Sequence, residues 1–189
     1  MKNKIIIGSR GSKLALIYAE RARTELLRNS QIESIEIKSI TTTGDTMTDV
    51  RVSEHGGKGA FCKAIEQELL NKNIDIAVHA LKDMPTDETE GLLTNCFLER
   101  NNPREILISN DNKNIKDLKL NAVIGTSSFR REFQLKNIRE DLNCKLIRGN
   151  VDTRIKKLNE NLYDAIILSY AGIKSLGLEE KISQTFATS

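Results

Sequence analysis

The chain has 189 residues, of which 39% are hydrophobic and 29% are charged, as is typical of a globular protein with one sizeable domain or two small ones. The net charge of +3 and the aromatic content of 4% argue against a nucleic-acid-binding protein. No apolar run reaches membrane-spanning length, and the N-terminus carries no long apolar core. We therefore expect neither a membrane protein nor an exported one.

The cysteines and histidines give no sign of a disulfide framework or a metal centre. Cys62, Cys96 and Cys144 are widely spaced and form no C-x-x-C pair, and His55 and His79 are isolated from other ligand types. The pattern predicts no metal site and no structural disulfides. We therefore expect a cytoplasmic protein with reduced thiols.

Strand-like and helix-like segments alternate along the chain. Strands are predicted near Lys4–Gly8, Ser34–Ile40, Ile74–Val78, Leu92–Phe97, Glu105–Ser109, Ala122–Gly125, Lys145–Arg148 and Ala165–Ser169. Helices are predicted from Leu14 to about Leu27 and where apolar residues follow helical spacing, at Phe61, Ile65 and Leu69 and at Val151, Ile155 and Leu158. Such alternation predicts an α/β protein with parallel sheets, whose ligands bind beyond the carboxyl ends of the strands.

A polar segment divides the chain into two halves. Residues 99–104 include one of only two prolines and separate two predicted strands. We expect a first α/β lobe over residues 1–99, a hinge at 100–104 and a second α/β lobe over 105–189. Each lobe begins with a strand, a glycine and a hydroxyl-rich turn, and two such lobes facing a common cleft would bring these turns together.

Arginines recur where predicted strands lead into helices. Arg130 and Arg131 follow the run from Thr126 to Ser128, Arg10 lies beside Ser12, and Arg148 and Arg154 flank the turn before a third helix. Arginines near the positive end of a helix dipole are unfavourable unless an anion binds there. Each turn alone is equally compatible with a capped surface helix, but three together predict a site for a ligand with several negative groups.

Two further segments carry candidate chemistry. Lys82 and Asp83 end a strand before a proline, and a carboxylate beside cations stays ionised and can stabilise a cationic intermediate. A lone Lys-Asp pair is more often a solvated turn. The glycine-rich segment 46–60 reads as a mobile lid carrying Lys58 or, equally well, as a plain flexible loop. Its Gly-Gly-Lys-Gly sequence lacks P-loop spacing, which disfavours ATP binding.

The chain resembles the porphobilinogen deaminase (hydroxymethylbilane synthase) family. The resemblance rests on segments in the family's order and spacing: Ser9–Ala15, Gly56–Gly59, Ala77–His79, Lys82–Pro85, Gly125–Arg131, Arg148–Val151, Tyr163–Leu168 and Ala171–Ile173. It implies two lobes like those of periplasmic binding proteins, with parallel or mixed sheets flanked by helices. It also implies a cytoplasmic, monomeric transferase that polymerises four porphobilinogen units into hydroxymethylbilane in tetrapyrrole (haem) biosynthesis.

The resemblance also implies roles for individual residues. Asp83, with Lys82, would be catalytic, contacting pyrrole N–H groups and stabilising the cationic intermediate. Lys58 would sit on the lid. The carboxylates of a dipyrromethane cofactor and of the oligopyrrole intermediates would be bound by Arg10, Ser12, Thr126, Ser127, Ser128, Arg130, Arg131, Arg148 and Arg154.

The chain departs from the family pattern in several places. Family members continue with a third domain, whose cysteine in a Gly-Gly-Cys context holds the cofactor; from the resemblance we expect these 189 residues to lack that domain, and none of their three cysteines has this context. Asp152 replaces a usual glycine, Ser175 an arginine and Tyr18 a glutamine. Asp152 and Ser175 would both weaken anion binding.

Three hypotheses remain open from the sequence. The chain is part of a longer or split porphobilinogen deaminase, a non-catalytic two-lobed anion-binding module, or a catalytically incomplete remnant. A downstream segment with Gly-Gly-Cys would favour the first hypothesis, and an export signal the second. Aggregation would favour the third, because a missing strand exposes a sheet edge.

Overall fold

A computed structural model describes residues 3–46 and 59–188 of the chain. The residues pack into two units, unit 1 over residues 1–100 and unit 2 over residues 101–189. Lys58 and His55 lie outside the described residues, as do residues 47–58 of the lid predicted at 46–60. The hinge role of residues 100–104 stays a prediction. No helix in the described ranges is long and apolar enough to cross a membrane.

Unit 1 is built on a sheet of parallel strands. Its elements are β1 (Lys4–Arg10), α1 (Lys13–Leu26), β2 (Ser34–Ile40), α2 (Thr43–Thr46), α3 (Lys63–Leu70), β3 (Ile76–Ala77) and a 3-10 turn (Leu81–Asp83). The strand order is β2-β1-β3, which places β1 at the centre. The buried side chain of Ile7 on β1 packs in one cluster with Ala19 and Ala22 of α1, so the central strand and first helix form the core.

Unit 2 contains a mixed sheet. Its elements are β4 (Glu105–Ser109), a 3-10 turn (Ile115–Asp117), β5 (Val123–Gly125), α4 (Phe129–Ile138), β6 (Asn143–Lys145), α5 (Val151–Asn159), β7 (Ala165–Ser169), α6 (Tyr170–Ser175), a 3-10 turn (Glu179–Lys181) and β8 (Gln184–Thr185). The strand order is β6-β5-β7-β4-β8, with β4 antiparallel to both β7 and β8. The expected α/β class with parallel and mixed sheets is confirmed.

The sheet of unit 2 is buried on both faces. Leu107 and Ile167 belong to one core cluster, whereas Ile106, Ile166 and Leu168 belong to another. Because successive strand residues point to opposite faces, a strand covered on both sides must be apolar at every position. This explains the continuous apolar runs at β4 and β7.

The two units share one local arrangement. The parallel order β2-β1-β3 of unit 1 recurs as β6-β5-β7 in unit 2. The Asp75 carboxylate accepts a 2.8 Å hydrogen bond from the Ile6 amide, and Asp164 accepts one of the same length from Val123. In each of these three-stranded parallel sets, the middle strand is therefore bonded by an aspartate that directly precedes a neighbouring parallel strand.

Several strand predictions differ from the structure, and of the strand predicted at Ile74–Val78 only Ile76–Ala77 forms. Residues 92–97 were predicted as a strand and form none, because the described residues provide no neighbour for the segment; Leu93 is 81% and Phe97 65% exposed. The strand predicted at Lys145–Arg148 lies at Asn143–Lys145, where it pairs with the short strand β5 and ends with it. Strand β8 had no counterpart among the predictions.

Candidate functional site

Hydroxyl groups shape the turn between β5 and α4. Thr126 is fully buried, and its amide donates to the Lys145 carbonyl at 3.0 Å. Its Oγ1 accepts a 3.2 Å hydrogen bond from the Ser128 amide, and Ser128 caps α4 by accepting one from the Arg131 amide. Ser127 is half-buried between them. Thr126 and Ser128 therefore fix the direction in which α4 presents its first turn.

Arg130 and Arg131 share a carboxylate partner that the sequence did not reveal. Glu105, the first residue of β4, accepts hydrogen bonds from Nη2 of Arg130 on one oxygen and from Nη2 of Arg131 on the other, the latter at 2.6 Å. Burial raises the pKa of Glu105, but the bonds from Arg131 and Arg130 outweigh it and hold the pKa below its usual value. Glu105 is therefore an ionised counter-charge for this turn.

The Arg131 side chain is held at both of its terminal nitrogens. Nη1 donates to the Ile167 carbonyl at 3.1 Å, while Nη2 is bound to Glu105. Its Nε is buried and has no hydrogen-bond partner among the described residues. A buried donor without an acceptor is costly, and the described residues supply no acceptor for this nitrogen.

Arg154 lies close enough to Arg131 and Arg148 to be repelled by their charges. Burial, followed by these two like charges, lowers the pKa of Arg154 to about 10. Its Nε donates to the Gly149 carbonyl at 2.8 Å, which fixes the side chain against the turn before α5. At neutral pH the guanidinium remains cationic, so unit 2 concentrates positive charge at three predicted anion-binding residues.

In unit 1, Arg10 lies at the end of β1 and forms an ion pair with Asp45. Its Nε donates to Oδ1 of Asp45 at 3.1 Å, and its Nη2 donates to the same oxygen. The guanidinium also stacks over the Phe61 ring, 4.1 Å from its centroid. Ser12, two residues later, accepts a 3.3 Å bond from the Ala15 amide and caps α1.

Asp83 lies in the 3-10 turn that follows β3 and is half-buried, next to exposed Lys82. The buried Cys62 thiol donates to the Asp83 carbonyl at 3.2 Å, so the turn is tied to the start of α3. Burial, together with the charges of Glu66 and Asp83, raises the pKa of Cys62 to about 11. The thiol is therefore protonated at neutral pH and acts as a hydrogen-bond donor.

His79 lies two residues beyond β3 in the same region. Burial lowers its pKa against the opposing charges of Glu66 and Asp83, so the imidazole is neutral at pH 7. Its Nε2 is buried and has no partner within residues 3–46 and 59–188. No group of three or more metal-ligating side chains occurs in those ranges.

The structure thus brings predicted residues together within each unit. Unit 2 assembles the β5–α4 turn with the arginines of α4 and of the β6–α5 turn, and unit 1 places Arg10 and Asp83 at the ends of neighbouring parallel strands. Sequence reasoning missed Glu105, Asp45 and Phe61. Of these, the sequence predicted Glu105 only as the start of a strand and Phe61 only as part of a helix pattern.

The family model and the curated relatives by sequence agree on one family. The family model "Porphobilinogen deaminase, dipyromethane cofactor binding domain" matches residues 5–189. The porphobilinogen deaminase of Bacillus subtilis (strain 168) is 47% identical over 186 residues, which cover 98% of this chain and 59% of that protein. That of Syntrophomonas wolfei is 50% identical over 177 residues, covering 94% and 58% respectively. The chain therefore spans less than two thirds of the length of these relatives.

One solved structure similar to this chain is a putative methionine-binding lipoprotein from Bacillus subtilis. The two share 12% sequence identity with a TM-score of 0.49, and the match covers 98% of this chain and 78% of the lipoprotein.

Proposed function

Because this chain belongs to the porphobilinogen deaminase family, we propose that it binds the dipyrromethane cofactor and the pyrrole substrates of a hydroxymethylbilane synthase. The reaction class is the transfer of porphobilinogen-derived units in tetrapyrrole synthesis. The proposal includes the expectations of a cytoplasmic location and a monomeric state. The observation that carries it is the cluster of Arg131, Arg148 and Arg154, whose mutual repulsion an anionic ligand would relieve.

The side chains of unit 2 fit the chemistry of the cofactor. A dipyrromethane carries acetate and propionate groups, and guanidinium groups bind carboxylates through paired N–H donors. Arg131 has a buried Nε that no described residue accepts from, and Arg154, which is half-buried, stays cationic at neutral pH. These two residues and Arg148 would hold the cofactor carboxylates. When bound, the cofactor supplies the pyrrole to which substrate units are joined.

The remaining residues of the β5–α4 turn have two roles in this proposal. Thr126 and Ser128 hold the turn in shape, and Ser127 lies between them. Arg130 is exposed and reaches the solvent side of Glu105. Because its Nη2 is bound to Glu105 and its Nη1 to Gln134, Arg130 has fewer donors left for a substrate carboxylate, and we expect it to contribute less to affinity than Arg154.

In unit 1 we assign to Asp83 the stabilisation of the cation that forms when porphobilinogen loses ammonia. Loss of ammonia from porphobilinogen leaves an electrophilic cation, and a fixed carboxylate that accepts pyrrole N–H bonds stabilises it. Cys62 restrains the main chain of the Asp83 turn, which limits the reorganisation needed during the reaction. Lys82, Arg10 and Ser12 would bind substrate carboxylates near Asp83, and Lys58, outside the described residues, would act from the lid.

The test is porphobilinogen binding and consumption by the purified chain. We expect binding by NMR titration. If the chain turns over, replacing Asp83 with Ala should lower the rate about 100-fold or more, the usual effect of removing a preorganised electrostatic group. Asp111→Ala is the control, because Asp111 is an exposed aspartate paired with Lys113.

The outcomes separate the parts of the proposal. Binding without turnover would retain the binding role and confine this chain to an incomplete catalytic unit. Turnover that survives Asp83→Ala would overturn the role of Asp83. A folded chain that does not bind porphobilinogen would overturn the proposed function.

A further inference from the structure

Arg10 is fixed by two contacts on different sides of its guanidinium. One edge, formed by Nε and Nη2, faces the Asp45 carboxylate, and one face covers the ring of Phe61. The side chains of Arg10 and Asp45 are only 18% and 23% exposed. A half-buried ion pair of this geometry restricts the arginine far more than a solvated surface pair does.

Asp45 is itself held independently of Arg10. Its Oδ2 accepts a 3.1 Å bond from the Thr42 amide and a 2.7 Å bond from the Thr42 hydroxyl. Burial raises the pKa of Asp45, and the bonds from Arg10 and Thr42 more than reverse this, so the carboxyl stays ionised. Asp45 is therefore a fixed acceptor that is negatively charged at neutral pH.

These contacts leave one end of the guanidinium unused. Nη1 of Arg10 has no hydrogen-bond partner in the described parts of the chain, whereas Nε and Nη2 are both bound to Asp45. A guanidinium offers five donors in a rigid plane. Fixing one edge therefore fixes the direction of the donors at the other end.

We propose that Asp45 is a positioning residue, which holds Arg10 so that its Nη1 end binds a carboxylate of the pyrrole substrate. Phe61 supports the plane of the guanidinium from one side. The inference deepens the proposed function and rests on it, because the ligand carboxylate is that of porphobilinogen. Asp45 itself does not touch the ligand, and it acts through Arg10 by removing the side-chain freedom that binding would otherwise have to remove.

The test compares Asp45→Asn with the wild-type chain by two readouts. Hydrogen exchange of the Arg10 Nε proton, followed by ¹⁵N NMR, reports the positioning itself and needs no ligand. We expect exchange at least tenfold faster in Asp45→Asn, and an increase of about tenfold in the dissociation constant for porphobilinogen. Asp45→Glu keeps the charge and should retain slow exchange.

The matched control is Asp141→Asn. Asp141 pairs with Arg139 in unit 2, and the two side chains are 17% and 24% exposed for the arginine and the aspartate, nearly as in the Arg10 pair. This variant removes a comparable ion pair and should leave both Arg10 exchange and porphobilinogen affinity unchanged. An equal loss of affinity in the two variants would show a general effect on stability and overturn the proposal.

Failure of this proposal and failure of the proposed function are distinguishable. An Arg10 Nε proton that exchanges equally fast in wild type and Asp45→Asn overturns the role of Asp45, whatever the affinity. Faster exchange with unchanged porphobilinogen affinity also overturns it, because Arg10 then does not serve the ligand. A wild-type chain without porphobilinogen affinity overturns the proposed function and, with it, the ligand assigned to Arg10.

Discussion

Glu105 accepts a 2.6 Å hydrogen bond from Arg131 across 26 residues of sequence, and this one carboxylate also binds Arg130. The first residue of β4 therefore carries the counter-charge for the first turn of α4. The arrangement leaves Arg131 fixed at Nη1 and Nη2, and only its buried Nε lacks a partner among the described residues. Because Glu105 offsets part of the charge of Arg130 and Arg131, an anion at this turn meets less positive charge than two free arginines would provide.

Replacing Glu105 with Gln should destabilise unit 2 by about 2 kcal/mol, because the largely buried Arg131 loses its charged partner. Urea unfolding of wild type and variant measures the difference. Glu160→Gln is the control, since its pair with Lys156 is exposed and 3.8 Å long and should contribute less than about 0.5 kcal/mol. Equal effects of the two substitutions would contradict a structural role for Glu105.

Stability should fall as the pH is lowered through the usual carboxyl range. The pKa values of Glu105 and Asp45 in the folded chain lie below their usual values of 4.5 and 3.8, because hydrogen bonds from arginine side chains outweigh the effect of burial, which raises the pKa. The unfolded chain therefore takes up protons first, and the stabilisation present at neutral pH is lost below about pH 4.5.

The double variant Asp45→Asn, Glu105→Gln tests this pH dependence. Its unfolding free energy should change less between pH 6 and pH 3.5 than that of the wild type. Some slope should remain, because the pKa of Asp141 is lowered to about 2 by its bond from Arg139. Parallel curves for wild type and double variant would show that these two carboxyls do not titrate as inferred.

Arg154→Gln should weaken polycarboxylate binding. Arg154 is half-buried near Arg131 and Arg148 and keeps its charge at neutral pH, so its removal takes a cation from the proposed anion site. The rise in melting temperature caused by propane-1,2,3-tricarboxylate should require about tenfold more ligand in the variant, which corresponds to about 1.4 kcal/mol. Arg28→Gln, at an exposed helix end, should respond like the wild type.

The strands that sequence reasoning predicted best are those with a continuous local signal. The predicted and observed bounds are the same for Ser34–Ile40, Glu105–Ser109 and Ala165–Ser169. In such segments, alternating apolar residues indicate a strand buried on one face, and an unbroken apolar run indicates a strand buried on both. Residues 92–97 show a similar apolar content and form no strand. Pairing needs a neighbour, and a neighbour is not encoded within the segment itself.

In the candidate site, too, some residues could be predicted from the sequence and others could not. Glycines, hydroxyls and arginines at strand ends marked the turns, because capping and strand-end chemistry involve residues close in sequence. The partners Asp45 and Glu105 escaped notice because they lie 35 residues from Arg10 and 25 from Arg130. Only the sheet order brings these pairs together. The roles assigned to Asp83 and to the arginines stay predictions until ligand binding is measured.

Gly44→Ala should destabilise unit 1 and disturb Arg10 at the same time. A Cβ at residue 44 would lie 2.2 Å from the Phe61 ring, and that ring cannot retreat freely because Arg10 stacks on it. Overpacking of this kind costs about 1–3 kcal/mol, which thermal or urea unfolding would detect. The control is Gly11→Ala, whose new Cβ would meet only the hydroxyl end of exposed Ser39. A Gly44→Ala chain as stable as the Gly11→Ala chain would show that Phe61 is not held in place by Arg10.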